Sequence, residues 1–175
     1  MTIHSEHPFL PPEGERNPVR RLRGRLTAPV TLWTAYDPDR PVGLTVSSVL
    51  VADGEPGRVV GLIDPDSDVY EAVLAAGVFA VSVLTGRHRA VADAFAGVAP
   101  APGGAFRLAQ WERTTWGPVL AEPPAAWAGC RLEGEPHELG WAQLVTAVIE
   151  RVELSDDQAD SLAYRRGRYV GPARG

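Results

Sequence analysis

Short apolar runs, rich in β-branched and aromatic residues, alternate along the chain with segments of turn-forming residues. Runs of this length and composition are typical of β-strands rather than helices. A strand is predicted for each of the segments Pro29–Tyr36, Val42–Val51, Arg58–Ile63, Val78–Leu84, Ala125–Glu133 and Leu139–Glu153. The last segment is long enough to require a bend near its middle, and Arg58–Ile63 is apolar enough to be a central strand.

Helical patterns are fewer and shorter. Val69–Ala76 is predicted as a helix with Asp68 as its N-cap, and Gly77 ends it. His88–Ala96 is predicted as a second helix that leaves His88 on its exposed side. Val19–Leu26, with four arginines, is predicted as a solvated helix or approach segment. About seven strands against two or three short helices exclude a doubly wound α/β fold. The pattern therefore predicts a mainly β protein, a closed antiparallel barrel with small helical additions.

Composition narrows the possible functions. The 175 residues suit one domain, and we expect a flexible proline-rich arm over residues 1–18 followed by a single domain over 19–175. A net charge of −5 argues against a nucleic-acid partner. All 17 basic residues are arginines, which excludes Schiff-base and P-loop chemistry because both need a lysine.

No metal site is expected. Cys130 is the only cysteine, and the spacing of His4 and His7 lies in the proline-rich arm without a third ligand nearby. No apolar run is long enough to cross a membrane, and no signal peptide is visible, so we expect a cytoplasmic protein.

Polar residues interrupt the apolar pattern at one place, the strand that contains Thr45, Ser47 and Ser48. Asp64, Ser67 and Asp68 then precede the first predicted helix after that strand. Hydroxyls beside a helix start can bind an anionic group, but a solvated strand face and ordinary helix capping explain the same residues. Asp68 would repel such an anion. Both interpretations remain open at this point.

Two further features are candidates for a site. His137 lies where a turn gives way to a strand, and its imidazole could donate toward a bound redox ring; a surface or capping role is the alternative. The closing segment YRRGRY, residues 164–169, interleaves arginines with tyrosines. It is either a solvated strand or a clamp for a nucleotide phosphate and base.

Taken in order, these segments resemble the flavin reductase-like family of FMN-binding split β-barrels. The resemblance runs from about Arg20 to Tyr169. It is carried by the segments PVTLWTA, GLTVSS, Asp64–Ala76, FAVSVL, WGPVLAEPPAAWAGCRLEG, HELGWAQLVTAVI and YRRGRY. Where the family has Asn in F-x-V-N-V-L, this chain has Ser82, and the family's Gly-Asp-His has become Glu-Pro-His ending at His137.

The resemblance implies a homodimer that binds FMN, with FAD as the alternative, at the subunit interface. It implies hydride transfer from NADH or NADPH to flavin, and supply of reduced flavin to a monooxygenase. Two alternatives stay open: a flavin-binding or other cofactor-binding protein without reductase turnover, and a deazaflavin-dependent oxidoreductase.

The resemblance also assigns roles to residues. Thr45, Val46, Ser47 and Ser48 would contact the isoalloxazine and ribityl chain. The other cofactor-binding residues would be Asp64 and Ser67 near the phosphate, and Ser82. The catalytic residue would be His137, beside the nicotinamide.

Overall fold

A computed structural model of the chain describes residues 17–155 and 160–170. The predicted N-terminal arm lies outside these residues except for its last two. The described part contains three α-helices: α1 (Pro18–Arg25), α2 (Asp68–Ala76) and α3 (Arg89–Phe95). None of them is long and apolar enough to cross a membrane.

Local capping decides where the second helix begins. The N-cap of α2 is Ser67 rather than the predicted Asp68, because the Ser67 hydroxyl accepts a hydrogen bond from the Tyr70 N–H at 3.3 Å. Gly77 ends the helix in the left-handed conformation, with φ of 70°, as predicted.

Thirteen strands account for most of the remaining described residues. They are β1 (Ala28–Pro29), β2 (Thr31–Asp37), β3 (Arg40–Val46), β4 (Val49–Ala52), β5 (Arg58–Ile63), β6 (Val78–Val83), β7 (Trp111–Arg113), β8 (Pro118–Leu120), β9 (Ala126–Leu132), β10 (His137–Leu139), β11 (Ala142–Leu154), β12 (Ala163–Arg165) and β13 (Arg168–Val170). The main sheet is antiparallel and has the order β3-β2-β6-β9-β11-β5-β4, and β10 pairs with one end of β11. Two small sheets, β1-β12-β13 and β7-β8, lie beside it.

The predicted strand Val42–Val51 is broken at Ser47 and Ser48 into β3 and β4. These two strands lie at opposite ends of the sheet order although only two residues separate them. The sheet must therefore curl so that its ends approach each other. Its hydrogen-bonded order nevertheless stays open, so the fold is mainly β with a curled sheet and the predicted closed barrel is not confirmed.

The longest strand holds the two parts of the sheet together. One side of β11 pairs with β5, and its other side pairs first with β10 and then with β9. A turn at Gly140 and Trp141 precedes β11, so the predicted segment Leu139–Glu153 is not one strand. The predicted bend corresponds to a register shift between Ile149 and Arg151.

The core forms on both faces of the sheet. On one face the Trp33 and Phe79 rings stack with centroids 4.7 Å apart, and α2 covers them with Val69 and Val73. On the other face Leu32 packs with residues of α3. Burial of these side chains supplies most of the free energy that keeps the curled sheet in shape.

His88 departs from its predicted position. It belongs to a 3₁₀ turn, Gly86–His88, that precedes α3, and it is 2% exposed. Its Nδ1 accepts a hydrogen bond from the Thr85 N–H at 3.2 Å, which holds the ring inside the fold. The prediction that His88 is exposed was therefore wrong.

Candidate functional site

Strand pairing places Ser48 and His137 in one row of paired residues that runs across the main sheet. The Ser48 carbonyl accepts a hydrogen bond from the Leu62 N–H at 2.9 Å. Leu62 is paired with Leu144, and Leu144 is paired with His137. With neighbouring strands about 4.8 Å apart, this row spans about 14 Å from Ser48 to His137.

The corner that follows β5 lies at the same end of the sheet. Ile63 pairs with Gln143 of β11, and Asp64 comes directly after it, beside the turn that joins β10 to β11. The structure thus brings Ser47, Ser48, the Asp64–Ser67 corner and His137 to one end of the β4-β5-β11-β10 section. These residues are far apart in the chain, and only the sheet topology assembles them.

The remaining predicted contacts lie elsewhere. The Thr45 hydroxyl donates to the Ala92 carbonyl of α3 at 2.8 Å. Ser82 lies in the same row as Thr45, separated from it by Leu32, and is 1% exposed. Val46 is also buried, and its carbonyl accepts a hydrogen bond from the Thr31 hydroxyl at 2.6 Å. Within a single chain these contacts stabilise the fold. The cofactor contacts predicted for Thr45, Val46 and Ser82 stay predictions.

The hydroxyl of Ser67 is already engaged at the start of α2. It donates to the Asp64 carbonyl at 2.8 Å and accepts from the Tyr70 N–H. The first amides of a helix have no partner within the helix. Because the Tyr70 N–H already donates to Ser67, the donors that this corner offers an anion are the preceding amides, those of Asp68 and Val69.

Arg40 is the residue of this corner that sequence reasoning missed. Its guanidinium donates to the carboxylates of Asp37 at 2.9 Å and Asp68 at 3.1 Å. These two hydrogen bonds, that to Asp37 being the larger cause, raise the pKa of Arg40. Its positive charge partly cancels the repulsion that Asp68 would exert on an anion. No local pattern signals this contact, since 28 residues separate the two partners.

Large apolar side chains are exposed at this end of the sheet and also farther along its edge strand β4, where Leu50 pairs with Val60 and Val51 with Val59. Trp141, on the β10-β11 turn, is 91% exposed, and Leu139 beside it is also exposed. Leu50 and Val51 of the edge strand β4 are 72% and 71% exposed. Such side chains usually mark a surface that a ligand or another chain covers. A sequence pattern cannot separate an exposed tryptophan from a buried one, so none of the four was predicted as part of a site.

The His137 side chain is available to a ligand. The residue is exposed on β10, and no hydrogen bond joins its ring to any other described residue. Among the described residues, no group of three or more histidine, cysteine, aspartate or glutamate side chains is arranged to hold a metal ion.

Comparison with known proteins gives a consistent result. Residues 23–173 match the model of the flavin reductase like domain. The chain is 35% identical over 153 residues to FMN reductase (NADH) RutF 2 of Methylorubrum extorquens, covering 86% of each protein. It is 29% identical over 154 residues to the 4-hydroxyphenylacetate 3-monooxygenase reductase component of Pseudomonas aeruginosa, covering 87% of this chain and 89% of that protein.

Solved structures share the fold. The NADH:FAD oxidoreductase SgcE6 of Streptomyces globisporus C-1027 superposes with a TM-score of 0.80 at 22% identity, over 95% of this chain and 98% of that one. A putative flavin reductase from Haemophilus somnus gives a TM-score of 0.77 at 21% identity, over 87% of this chain and 96% of that one. At these identities the likeness establishes the fold and nothing more.

Proposed function

The chain belongs to the flavin reductase-like family, and on that premise we propose that it is an NADH-dependent flavin reductase acting on FMN. The observation that carries the proposal is the assembly of Ser47, Ser48, the Asp64–Ser67 corner and His137 at one end of the sheet. Flavin, when bound, supplies the two-electron chemistry, and the chain supplies binding and orientation.

The residues present fit a flavin. A planar ring with a polar edge needs apolar surface and hydrogen-bonding groups together, and this end of the sheet offers both. Apolar surface comes from the exposed side chains of Leu139 and of Trp141 on the β10-β11 turn, and hydroxyls come from Ser47 and Ser48. The start of α2 offers amides to the phosphate, while its carboxylates oppose tight binding. This balance suits a flavin that is bound and released rather than held permanently.

Within this proposal, Thr45, Val46, Ser47, Ser48 and Ser82 contribute to the ring and ribityl site. Asp64 and Ser67 shape the phosphate end. His137 would orient the nicotinamide or hold a proton beside it, since its imidazole has no other partner among the described residues. NADPH as the reductant and FAD as the flavin are alternatives that the same site could accept.

We include a homodimer in the proposal, with the cofactor at the interface and the split barrel completed there. The supporting observation is the β4 edge, where Leu50 and Val51 are exposed next to unpaired backbone groups. Uncovered apolar edge strands promote association with another chain. A cytoplasmic location is part of the same proposal, and the lone buried cysteine agrees with a reducing compartment.

A monooxygenase partner is proposed from the relatives. Several are named as reductase components, including that of 4-hydroxyphenylacetate 3-monooxygenase and that of an FADH(2)-dependent resorcinol hydroxylase. Reduced flavin leaving this site would be the species delivered to such a partner.

The test is anaerobic mixing of the purified protein with FMN and then NADH, followed by visible absorption. Bleaching of the flavin at a catalytic rate is expected. His137→Ala should slow this reduction by on the order of tenfold to a hundredfold, while the Kd for FMN changes less than about twofold. Glu138→Ala, on the exposed neighbouring residue of β10, is the matched control and should leave both quantities unchanged.

Two results would count against the proposal. A protein that perturbs the FMN spectrum but never bleaches with NADH or NADPH would support a binding protein without turnover, or one that uses a deazaflavin. Equal losses of rate and FMN affinity in His137→Ala would remove the role assigned to His137.

A further inference from the structure

The closing segment YRRGRY has exposed arginines and two half-buried tyrosines, Tyr164 and Tyr169. It forms the hairpin β12-β13, which packs against α3. The Tyr169 hydroxyl donates to the Asp93 carboxylate at 2.5 Å, and the Arg89 guanidinium lies 5.7 Å from the centre of the Tyr169 ring. The Tyr164 and Tyr169 rings meet edge to face, with centroids 5.3 Å apart. The hairpin therefore has a defined position relative to the helix.

An open cleft of about 420 Å³ lies between α3 and this hairpin. It is lined by Arg89, Asp93, Val98, Tyr164, Gly167, Arg168 and Tyr169. Two cations, one carboxylate and two aromatic rings thus line the same cleft. These lining residues are separated, in sequence and in strand order, from the row of paired residues that joins Ser48 to His137.

The arginines of the cleft differ from a group of six other arginines that form ion pairs. Six arginines each lie within 4.0 Å of a carboxylate: Arg40, Arg58, Arg87, Arg113, Arg131 and Arg151. Arg89 and Arg168, and their neighbours Arg165 and Arg166 at the hairpin turn, have no such partner among the described residues. Among the described residues that line the cleft, Arg89 and Arg168 stand against one carboxylate, Asp93, and Arg165 and Arg166 add positive charge at the hairpin turn of a protein whose net charge is −5. Such a region attracts anions.

Together these groups match a nucleotide. Arginine forks bind phosphate oxygens in pairs, and a tyrosine ring can stack on a base. Asp93 would repel inorganic phosphate, but a carboxylate is the usual partner of ribose hydroxyls. Only one of its oxygens, Oδ1, is bound by Tyr169. We propose that the cleft between α3 and the β12-β13 hairpin binds a ribonucleoside phosphate.

The direction of α3 places the cleft toward the end of β3 that leads into Ser47 and Ser48, two of the residues predicted to contact the flavin. The Phe95 ring packs over Gly43, and Ala92 accepts the hydrogen bond from Thr45, so α3 runs antiparallel to β3. Its first residue, Arg89, is thus at the end of the helix nearer Ser47. The nucleotide is either a free one or the nucleotide end of a dinucleotide whose other end occupies the flavin site. Only the second source rests on the proposed function.

The test is calorimetric titration of ADP into the full chain without flavin. Saturable binding is expected, and Arg168→Gln should weaken it about tenfold, because one charge-assisted phosphate contact is lost. Arg168 is exposed, so the variant should fold normally. Arg113→Gln removes the same charge from an exposed arginine outside the cleft and should leave ADP affinity within about twofold.

Three outcomes would overturn the proposal. They are absence of saturable ADP binding to the unmutated chain, an equal loss in Arg113→Gln, and binding of inorganic pyrophosphate as tight as that of ADP. If ADP binds, its effect on reductase kinetics identifies the source. Competition with NADH or FAD indicates the end of a dinucleotide, and unchanged kinetics indicate a separate nucleotide site. The titration does not depend on reductase activity, so the site can be confirmed even if the proposed function fails.

Discussion

At the scale of single residues, the pairing of Arg40 with Asp68 controls the charge at the start of α2. We expect Asp68→Asn to tighten FMN binding about threefold at low salt, because a carboxylate near the helix N-terminus and the phosphate is removed. The gain should shrink at high ionic strength, where exposed charges are screened. Fluorescence titration of FMN at two salt concentrations measures both effects.

Arg40→Gln is the companion variant for this pair. It frees the Asp37 and Asp68 carboxylates from their common partner, so FMN binding should weaken where Asp68→Asn strengthens it. If neither variant changes the Kd at low salt, Asp68 only stabilises the helix and the phosphate lies elsewhere.

Burial gives His88 an effect on stability that depends on pH. Removal of the imidazole from water lowers its pKa below the ordinary value of 6.5, against a smaller opposing effect of Glu122. The unfolded chain therefore binds a proton at His88 more readily than the folded one. The free energy of unfolding should decline as the pH falls below 6.5, until the pKa of the folded state is passed.

His88→Asn tests this expectation because its amide oxygen can replace Nδ1 as the acceptor from Thr85. Urea unfolding at neutral and at mildly acidic pH should show a smaller acid-induced loss in the variant than in the original chain. Parallel losses in the two proteins would show that carboxylates alone cause the acid sensitivity.

At the scale of elements, Gly61 of β5 allows Trp33 to lie flat inside the curled sheet. A Cβ at position 61 would come within 2.6 Å of the Trp33 ring. Gly61→Ala should therefore lower the free energy of unfolding by about 1–3 kcal/mol through overpacking. Gly86→Ala is the control, because nothing lies within 4 Å of a Cβ there. Denaturant unfolding should separate the two variants clearly.

Most individual elements were predictable from the sequence because their signals are local. The apolar runs of β5 and β6 and the glycine that ends α2 each specify their own structure. The break at Ser47 and Ser48 was not predictable, since it depends on which strands lie beside β3 and β4. The same holds for the burial of His88 and for Arg40, whose partners are set by the tertiary fold. The residues of the candidate site stay predictions, and the charge pairs beside them, such as Arg40 with Asp68, depend on the tertiary fold.

At the scale of the whole molecule, the oligomeric state tests whether the exposed edge of β4 is a dimer interface. We expect the unmodified chain to sediment as a dimer. Val51→Glu should shift it toward the monomer without unfolding it, because the side chain is 71% exposed in the single chain. Leu108→Glu, on another exposed apolar residue, is the matched control.

Analytical ultracentrifugation over a range of concentrations measures this equilibrium. A monomeric original chain, or equal dissociation in both variants, would refute β4 as the interface. If Val51→Glu also lowers FMN affinity, the cofactor site depends on the second copy.

The position of β11 in the sheet has a consequence for how the protein is made. Among the described strands, β11 is the sole hydrogen-bonded link between β9 and β5, and it is encoded near the end of the described chain. A nascent chain that ends before Ala142 holds two separate pieces of the main sheet, one of four strands and one of two. The two pieces become one sheet only when β11 has left the ribosome and pairs with both β9 and β5. Completion of the main sheet therefore waits for β11, and the facing edges of β9 and β5 stay open to wrong pairing until it has formed.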